Sequence, residues 1–162
     1  MVAKVYINKE TAITWTDTTG DLAMTLNNLA AAAARQGAVK DWGTAVRTNR
    51  YEWRCSIRFA TAPVVGESIR LYLKTSDGTY PDNDDGTGDI KVSATDKLKN
   101  LVYLGSIIVD EAATGVDMVA HGLIEHDARY FMPVIHNNSA DNLVATNNIC
   151  KFIITPAPFE IQ

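Results

Sequence analysis

Cysteine is scarce in this sequence of 162 residues, in which Cys55 and Cys150 are the only two. Two isolated cysteines cannot form the disulfide framework of a small secreted domain, and their spacing is not that of a zinc site. Each lies at an apolar position of a predicted strand, so we favour two reduced core thiols over a bridge between facing strands. With 46% hydrophobic residues, a chain of this length buries about 68–70% of its unfolded surface and needs no covalent or metal cross-link to fold.

Long apolar runs are also missing, and none approaches the roughly 20 residues of a membrane-spanning helix. The first residues, Met-Val-Ala-Lys-Val-Tyr-Ile, have neither the basic segment nor the apolar core of a signal peptide. Acidic residues outnumber basic ones by 19 to 15, which disfavours nucleic acid as a partner. We therefore expect a protein of the cytoplasm that binds neither membranes nor nucleic acids.

Catalytic signatures are absent as well. Neither a Gly-x-Ser-x-Gly elbow nor a glycine-rich phosphate loop follows any predicted strand, and neither cysteine lies in a recognised nucleophile motif. His121, His126 and His136 do not have the spacing of metal ligands, and we interpret them as surface histidines near turns. The sequence therefore predicts a protein that is not an enzyme and has no catalytic residue.

A strict alternation of apolar and polar residues over 49–59 is the most informative feature that the sequence does contain. Successive side chains of a strand point to opposite faces, so this pattern predicts a long strand with one core face and one wet face. Such half-buried strands are typical of antiparallel β proteins. The apolar members are Tyr51, Trp53, Cys55, Ile57 and Phe59, and the polar members include Arg50, Glu52, Arg54, Ser56 and Arg58.

Strand patterns recur along the rest of the chain, separated by turn signals rich in Gly, Asn and Asp. They cover residues 2–7, 12–16, 22–26, 69–74, 101–109, 116–124, 130–136 and 149–155. We expect the 69–74 strand to form a hairpin with the 49–59 strand, and the nearly continuous apolar 101–109 strand to be buried. The alanine-rich residues 30–34 predict a short helix or a tight crossing segment, since alanine has the highest helix propensity.

Eight or so short strands predict an all-β fold, an antiparallel β-sandwich or jelly roll in a single domain over residues 1–155. Residues 156–162 contain two prolines, which cannot donate a ladder hydrogen bond, so they predict an extended C-terminal arm. Phe159 and Ile161 on this arm need an apolar surface, either of the same domain or of a neighbour. They are therefore candidate interface residues.

The loop over residues 81–89 is dense in carboxylates. Oxygen-rich clusters of this kind suit calcium, and Asp82 and Asp84 are the best candidate ligands if a cation binds here. The spacing is not that of an EF-hand: with Gly88 at the sixth position of the loop, Ala94 falls where the final glutamate is required. We favour a solvated, turn-rich loop and predict no cofactor.

Charge is unevenly distributed along the chain. Residues 35–74 carry eight basic and three acidic side chains, whereas residues 75–127 carry three basic and eleven acidic ones. Opposed charges of this kind pair within a domain or set the register between identical subunits. Three of the eight positive charges in residues 35–74 belong to Arg50, Arg54 and Arg58. These arginines too are candidate interface residues.

Several segments of the sequence resemble small structural proteins that tailed bacteriophages encode near their major capsid protein. The segments are residues 23–29, 35–38, 97–101, 130–135, 140–143 and 156–162. The resemblance implies a virion protein with a β-sandwich fold, made in the cytoplasm of the host bacterium and bound to the outer capsid surface as a stabilising decoration protein. It also implies two kinds of partner, the major capsid protein and further copies of the same chain, with a trimer as the expected oligomer.

Two alternatives to a capsid decoration protein stay open at this point. A carbohydrate-binding or adhesive module on the virion would use Trp42, the asparagine-rich residues 137–148 and the acidic loop. A tail or neck component would have the same fold but far fewer copies in each particle. Neither alternative requires a catalytic residue.

Overall fold

A computed structural model describes residues 5–45, 47–78, 82–83 and 85–161, with Ile161 described by its backbone alone. These residues form thirteen strands and one short 3-10 helix, Thr95–Leu98, so the protein is all-β as the sequence predicts. The strands are β1 Val5–Ile7, β2 Ile13–Thr16, β3 Leu22–Ala23, β4 Ala34–Gln36, β5 Lys40–Asp41, β6 Arg50–Ile57, β7 Ser68–Ser76, β8 Ile90–Lys91, β9 Val102–Ile108, β10 Met118–Glu125, β11 Tyr130–Asn138, β12 Lys151–Pro156 and β13 Phe159–Ile161.

Two sheets build the body of the molecule. The five-stranded sheet has the order β10-β6-β12-β2-β3, and the six-stranded sheet has the order β8-β4-β11-β7-β9 with β5 paired to β11. All of these pairs are antiparallel except β2 with β3. The sheets pack face to face as a β-sandwich, which confirms the predicted fold class, while the jelly-roll connectivity stays a prediction. β1 and β13 form a separate two-stranded sheet.

The core lies between the two sheets, and the alternation in β6 explains which side chains enter it. Tyr51, Trp53, Cys55 and Ile57 are all buried there, together with Phe59 just beyond the strand. Trp53 stacks on Phe152 of β12, with the ring planes 8° apart. Burial of large aromatic and aliphatic side chains from both sheets is the main stabilising contribution to the fold.

Both cysteines are free and buried, in agreement with the interpretation as core thiols. Burial raises the pKa of the Cys55 thiol, because a thiolate is poorly solvated in an apolar core. The same cause raises the pKa of Cys150 to about 11. Neither thiol therefore has the thiolate character that nucleophilic chemistry needs.

Gly122 of β10 leaves the space that the Trp53 indole occupies. The two residues are opposite each other in the β6–β10 ladder. A Cβ atom on Gly122 would lie 2.7 Å from the nearest atom of the indole, well inside van der Waals contact. The glycine is thus required by close packing rather than by a turn.

The alanine-rich segment contains no helix, and the tight crossing segment is the correct alternative. Ala33 N–H bonds to the Ala30 carbonyl in a turn, and Ala32 adopts a φ of +56°. Asn137 of β11 then binds this segment with its backbone N–H and with its side-chain amide, which donates to the carbonyls of Leu29 and Ala30. These tertiary hydrogen bonds outweigh the helix propensity of alanine.

Three other predictions are wrong. β6 and β7 lie in different sheets, so they do not form a hairpin, and their connection crosses from one sheet to the other. β9 is an edge strand in which Tyr103 and Ile108 are exposed, rather than a buried strand, and a bulge interrupts its pairing with β7. His136 is buried in β11 and not at the surface, and burial together with the charge of Arg70 lowers the pKa of its imidazole.

Candidate interaction surfaces

The outer face of the five-stranded sheet carries an apolar and cationic patch centred on Arg54, which we call the sheet face. Arg54 lies between His121 of β10 and Ile153 of β12 in the ladder. Val119 and Leu123, two residues to either side of His121, are both exposed. Two open depressions of about 280 and 560 Å³ flank Arg54 and are lined by these apolar side chains.

The three candidate arginines on this side of the molecule differ in their partners. Arg58 Nε donates to Asp117 Oδ1 over 2.8 Å, and this hydrogen bond raises the pKa of the guanidinium. Arg50 approaches Glu125 more loosely, at 3.7 Å. Arg54 forms no ion pair or hydrogen bond with any described residue through its guanidinium. The acidic residues 75–127 therefore supply partners for two of the three arginines.

The predicted C-terminal arm is extended, and it pairs with β1 to form what we call the terminal ribbon, Val5–Ile7 with Phe159–Ile161. Val5 lies opposite Ile161 and Ile7 lies opposite Phe159, so one side of the ribbon consists of apolar positions. The side chains of Val5, Ile7 and Phe159 are 62%, 48% and 58% exposed. A two-stranded ribbon with an uncovered apolar side is at best marginally stable in water by itself.

The terminal ribbon continues the outer surface of the five-stranded sheet. Ala157 N–H bonds to the Arg50 carbonyl at the start of β6, and the Arg50 guanidinium lies 4.8 Å from the centroid of the Phe159 ring. Lys9, which follows β1 on the apolar side of the ribbon, forms an ion pair of 2.6 Å with Glu52 on the outer side of β6. The ribbon and the sheet face thus belong to one continuous surface.

A third exposed apolar patch lies at the opposite end of β6, in the connection to β7. Glu67 N–H bonds to the Val64 carbonyl, and Gly66 has a φ of +94°. This gives a tight turn that begins at Val64 and has Val65 and Gly66 as its central residues. These valines are 58% and 57% exposed, and the exposed Ile108 of β9 pairs with Ser68 beside them. We call Val64, Val65 and Ile108 the valine turn. Valines are an unusual choice in such a turn, where Gly, Pro, Asn, Asp and Ser dominate.

The described residues of the acidic loop are held by hydrogen bonds to the segments on either side of it. Asp82 Oδ2 accepts from the backbone N–H and the hydroxyl of Thr75 over 2.6 and 2.9 Å. Asp84, the other calcium candidate, lies outside the described residues. Asp85 is buried and accepts from Lys97 Nζ over 2.7 Å. The described residues contain no group of three side chains suited to binding a metal.

Lys74 of β7 also binds the acidic loop. Its side chain is completely buried, and Nζ donates to the Gly86 carbonyl over 2.6 Å and to Gln36 Oε1 over 3.2 Å. Gln36 in turn donates to the carbonyls of Gly86 and Gly88. A buried ammonium group is retained only where such acceptors replace its hydration shell.

The residues proposed for carbohydrate binding have structural contacts. Trp42 packs against Tyr51 and Phe131 with ring centroids 5.1 and 5.8 Å apart, so it extends the core aromatic cluster. In the loop 137–148, Asn137 is buried, and Asn148 binds the turn that follows β2. No stacking platform with free amides beside it is formed by these side chains.

Comparisons with protein-family models and with curated proteins gave no match to this chain. In the part of the chain that the structure describes, none of the helical segments reaches the length and apolar character needed to cross a membrane. The surfaces described above are therefore the basis for an assignment of function.

Proposed function

We propose that this chain is a structural protein of a tailed-bacteriophage virion, a decoration protein that binds the outer surface of the capsid and stabilises it without catalysing a reaction. The observation that carries the proposal is the position of two exposed apolar surfaces at opposite ends of one β-sandwich. The terminal ribbon lies at the Arg50 end of β6, and the valine turn follows the Ile57 end. β6 itself has eight residues, about 26 Å of strand, and the two surfaces are reached from its opposite ends.

Apolar surfaces at two ends suit a protein that bridges neighbours on a shell. Neither surface is explained by folding, because their side chains remain exposed in the folded chain. Exposed apolar clusters on a protein surface mark contacts with other proteins. When many copies bind one shell, simultaneous weak contacts add up to a high avidity.

The sequence resemblance supports the same proposal independently. It covers segments between residues 23 and 162, in both halves of the chain. Several charged side chains form ion pairs that hold strands together, as with Arg58 and Asp117. The proposed role is mechanical, since a bound layer that links capsid subunits resists the pressure of the packaged genome.

The direct test measures binding of the purified chain to capsid shells of its phage that lack it. We expect the native protein to restore resistance to heat and osmotic shock. A Val64→Ser/Val65→Ser variant should bind the shells at least tenfold more weakly. Two valines that become buried against the shell contribute more to binding than the roughly 1.4 kcal/mol that a tenfold change requires. Ile90→Ser, which alters an exposed apolar residue of β8 elsewhere, is the matched control.

Two results would contradict the proposal. Shells that lack the protein could prove as resistant as complete particles, or the native chain could fail to bind them at all. The number of copies in each particle, measured by quantitative electrophoresis, separates a decoration protein from a tail or neck component. A copy number close to that of the capsid protein supports decoration, and a few copies overturn it.

A further inference from the structure

We propose that two copies of this chain associate about a two-fold axis, with the terminal ribbon of each copy packed against the sheet face of the other. This association goes beyond shell binding: it assigns the terminal ribbon, one of the two surfaces that carry the proposed function, to a contact with a second copy, and it leaves the valine turn as the surface for the capsid. It can be measured without any shell, so its failure is distinguishable from failure of the proposed function. The proposed occupant of the sheet face is a second copy of the same chain, in a dimer rather than the trimer that the sequence resemblance implies.

The first argument is the continuity of the surface. The apolar side of the terminal ribbon, Arg50 and the sheet face follow one another along the outer side of β6 and its neighbours. If two such surfaces stack with opposite directions, the ribbon of each covers the exposed Val119 and Leu123 of the other. Each patch then contacts its counterpart reciprocally, as a two-fold interface requires.

The second argument is the distribution of charge along this surface. Arg54 has no ion-pair partner among the described residues, and the same holds for Lys151 on β12. Glu125, nearer the ribbon, is 61% exposed and only loosely paired with Arg50. Stacking in opposite directions brings Glu125 of one copy towards Arg54 of the other. Complementary charges of this kind fix the register of an interface.

The third argument is the area that stacking would bury. Strands β10, β6, β12 and β2 have eight, eight, six and four residues. At about 3.3 Å per residue and about 4.8 Å between strands they present roughly 400 Å², and the ribbon adds roughly 100 Å². A projected area of roughly 500 Å² per partner, enlarged by the side chains that stand out from the plane, corresponds to the small interfaces of weak complexes.

Sedimentation of the full chain without any capsid shell tests the proposal. We expect a dimer at micromolar concentration. Leu123→Glu in the sheet face and Ile7→Glu in the ribbon should each raise the dissociation constant at least tenfold, whereas Val64→Ser/Val65→Ser should leave it unchanged. Circular dichroism of each variant establishes that the fold is retained.

A charge exchange separates a specific contact from general damage to the surface. Arg54→Glu and Glu125→Arg should each weaken the dimer at least tenfold, and the double variant should restore it, because the two charges meet between copies. A native chain that sediments as a monomer or a trimer overturns the proposal, as does a double variant with no recovery. A monomer that binds shells, with binding lost in Leu123→Glu, would assign the sheet face to the capsid and leave the proposed function standing.

Discussion

Single carboxylates and one lysine determine the shape of the acidic loop. Asp89 is the clearest case: it accepts a hydrogen bond from Arg35 Nε and two more from the backbone N–H and hydroxyl of Thr25. Burial alone would raise the pKa of this carboxyl, but the hydrogen bonds from Arg35 and Thr25 outweigh it and lower the pKa below its ordinary value. The loop is thus fastened to β4 by an ionised side chain.

Replacement of Asp89 should therefore have an effect that depends on pH. A carboxyl whose pKa is lower in the folded state stabilises the protein above its unfolded pKa of 3.8, and this stabilisation is lost as the pH falls through the folded value. We expect Asp89→Asn to reduce the free energy of unfolding by about 2 kcal/mol at pH 7. The difference from the native protein should shrink below about pH 4.

Urea denaturation at several pH values measures this effect. Asp96→Asn is the matched control, because Asp96 pairs with Lys99 on the exposed surface and such pairs contribute little. A deficit for Asp89→Asn that stays constant from pH 7 to pH 3 would show that the lost stability does not come from an ionised carboxylate.

The sequence pattern does not identify Lys74 as a buried residue that holds the acidic loop, and the reason is physical. It stands at a polar position of an alternating strand, and the pattern therefore places it on the wet side. Its burial follows from the acidic loop, which folds over β7 and offers the Gly86 carbonyl. The pattern of one strand contains no information about a loop that covers it. The same reason explains why the sequence identifies Arg50, Arg54 and Arg58 but not which of them is paired.

At the scale of the strand, the regular alternation of apolar and polar residues in β6 is the most reliable sequence signal for a strand and for its two faces. It predicts the core residues and the outward positions of Arg50 and Arg54, because side chains along a strand alternate between its two faces. Ser56, which the same pattern places on the wet face, is buried. What a single strand cannot specify is its neighbour. β6 pairs with β10 and β12, which follow much later in the sequence, and not with β7. The helix alternative for residues 30–34 is wrong for a related reason, because the hydrogen-bond partners of this segment lie on β11.

The contact between Gly122 and Trp53 gives a prediction at this scale. We expect Gly122→Ala to destabilise the protein by about 1–3 kcal/mol, because the added methyl group overlaps the indole and the stacked ring of Phe152 limits its movement. Thermal and urea denaturation measure the loss. Gly88→Ala is the control, because a Cβ there meets no atom within 4 Å.

A second substitution makes the Gly122 experiment specific. Trp53→Phe removes the part of the ring that the new methyl group would strike, so the double variant should lose less stability than the sum of the two single variants. Additive losses would mean that the indole is not the source of the strain.

At the scale of the whole molecule, the arrangement of the surfaces gives the assembly its geometry. In the proposed dimer the two sandwiches point in opposite directions, so the two valine turns lie at opposite ends of the pair. Such a dimer can bind two separate capsid subunits at once. The exposed surfaces themselves could not be predicted from sequence, because the exposure of Val64, Val5 and Leu123 depends on how the sheets and the ribbon are placed.

The pairing of β1 with β13 has a consequence for how the polypeptide can be reconnected. Positions 5 and 161 lie opposite each other, about 5 Å apart at their Cα atoms. A short linker between them should allow new ends to be opened at the exposed turn near Gly115, between β9 and β10. We expect this circular permutant to keep the far-ultraviolet dichroism of the native chain. Loss of the β spectrum would mean that continuity between β9 and β10 is needed to fold the sandwich, whereas retention would make position 115 a site for inserting foreign domains.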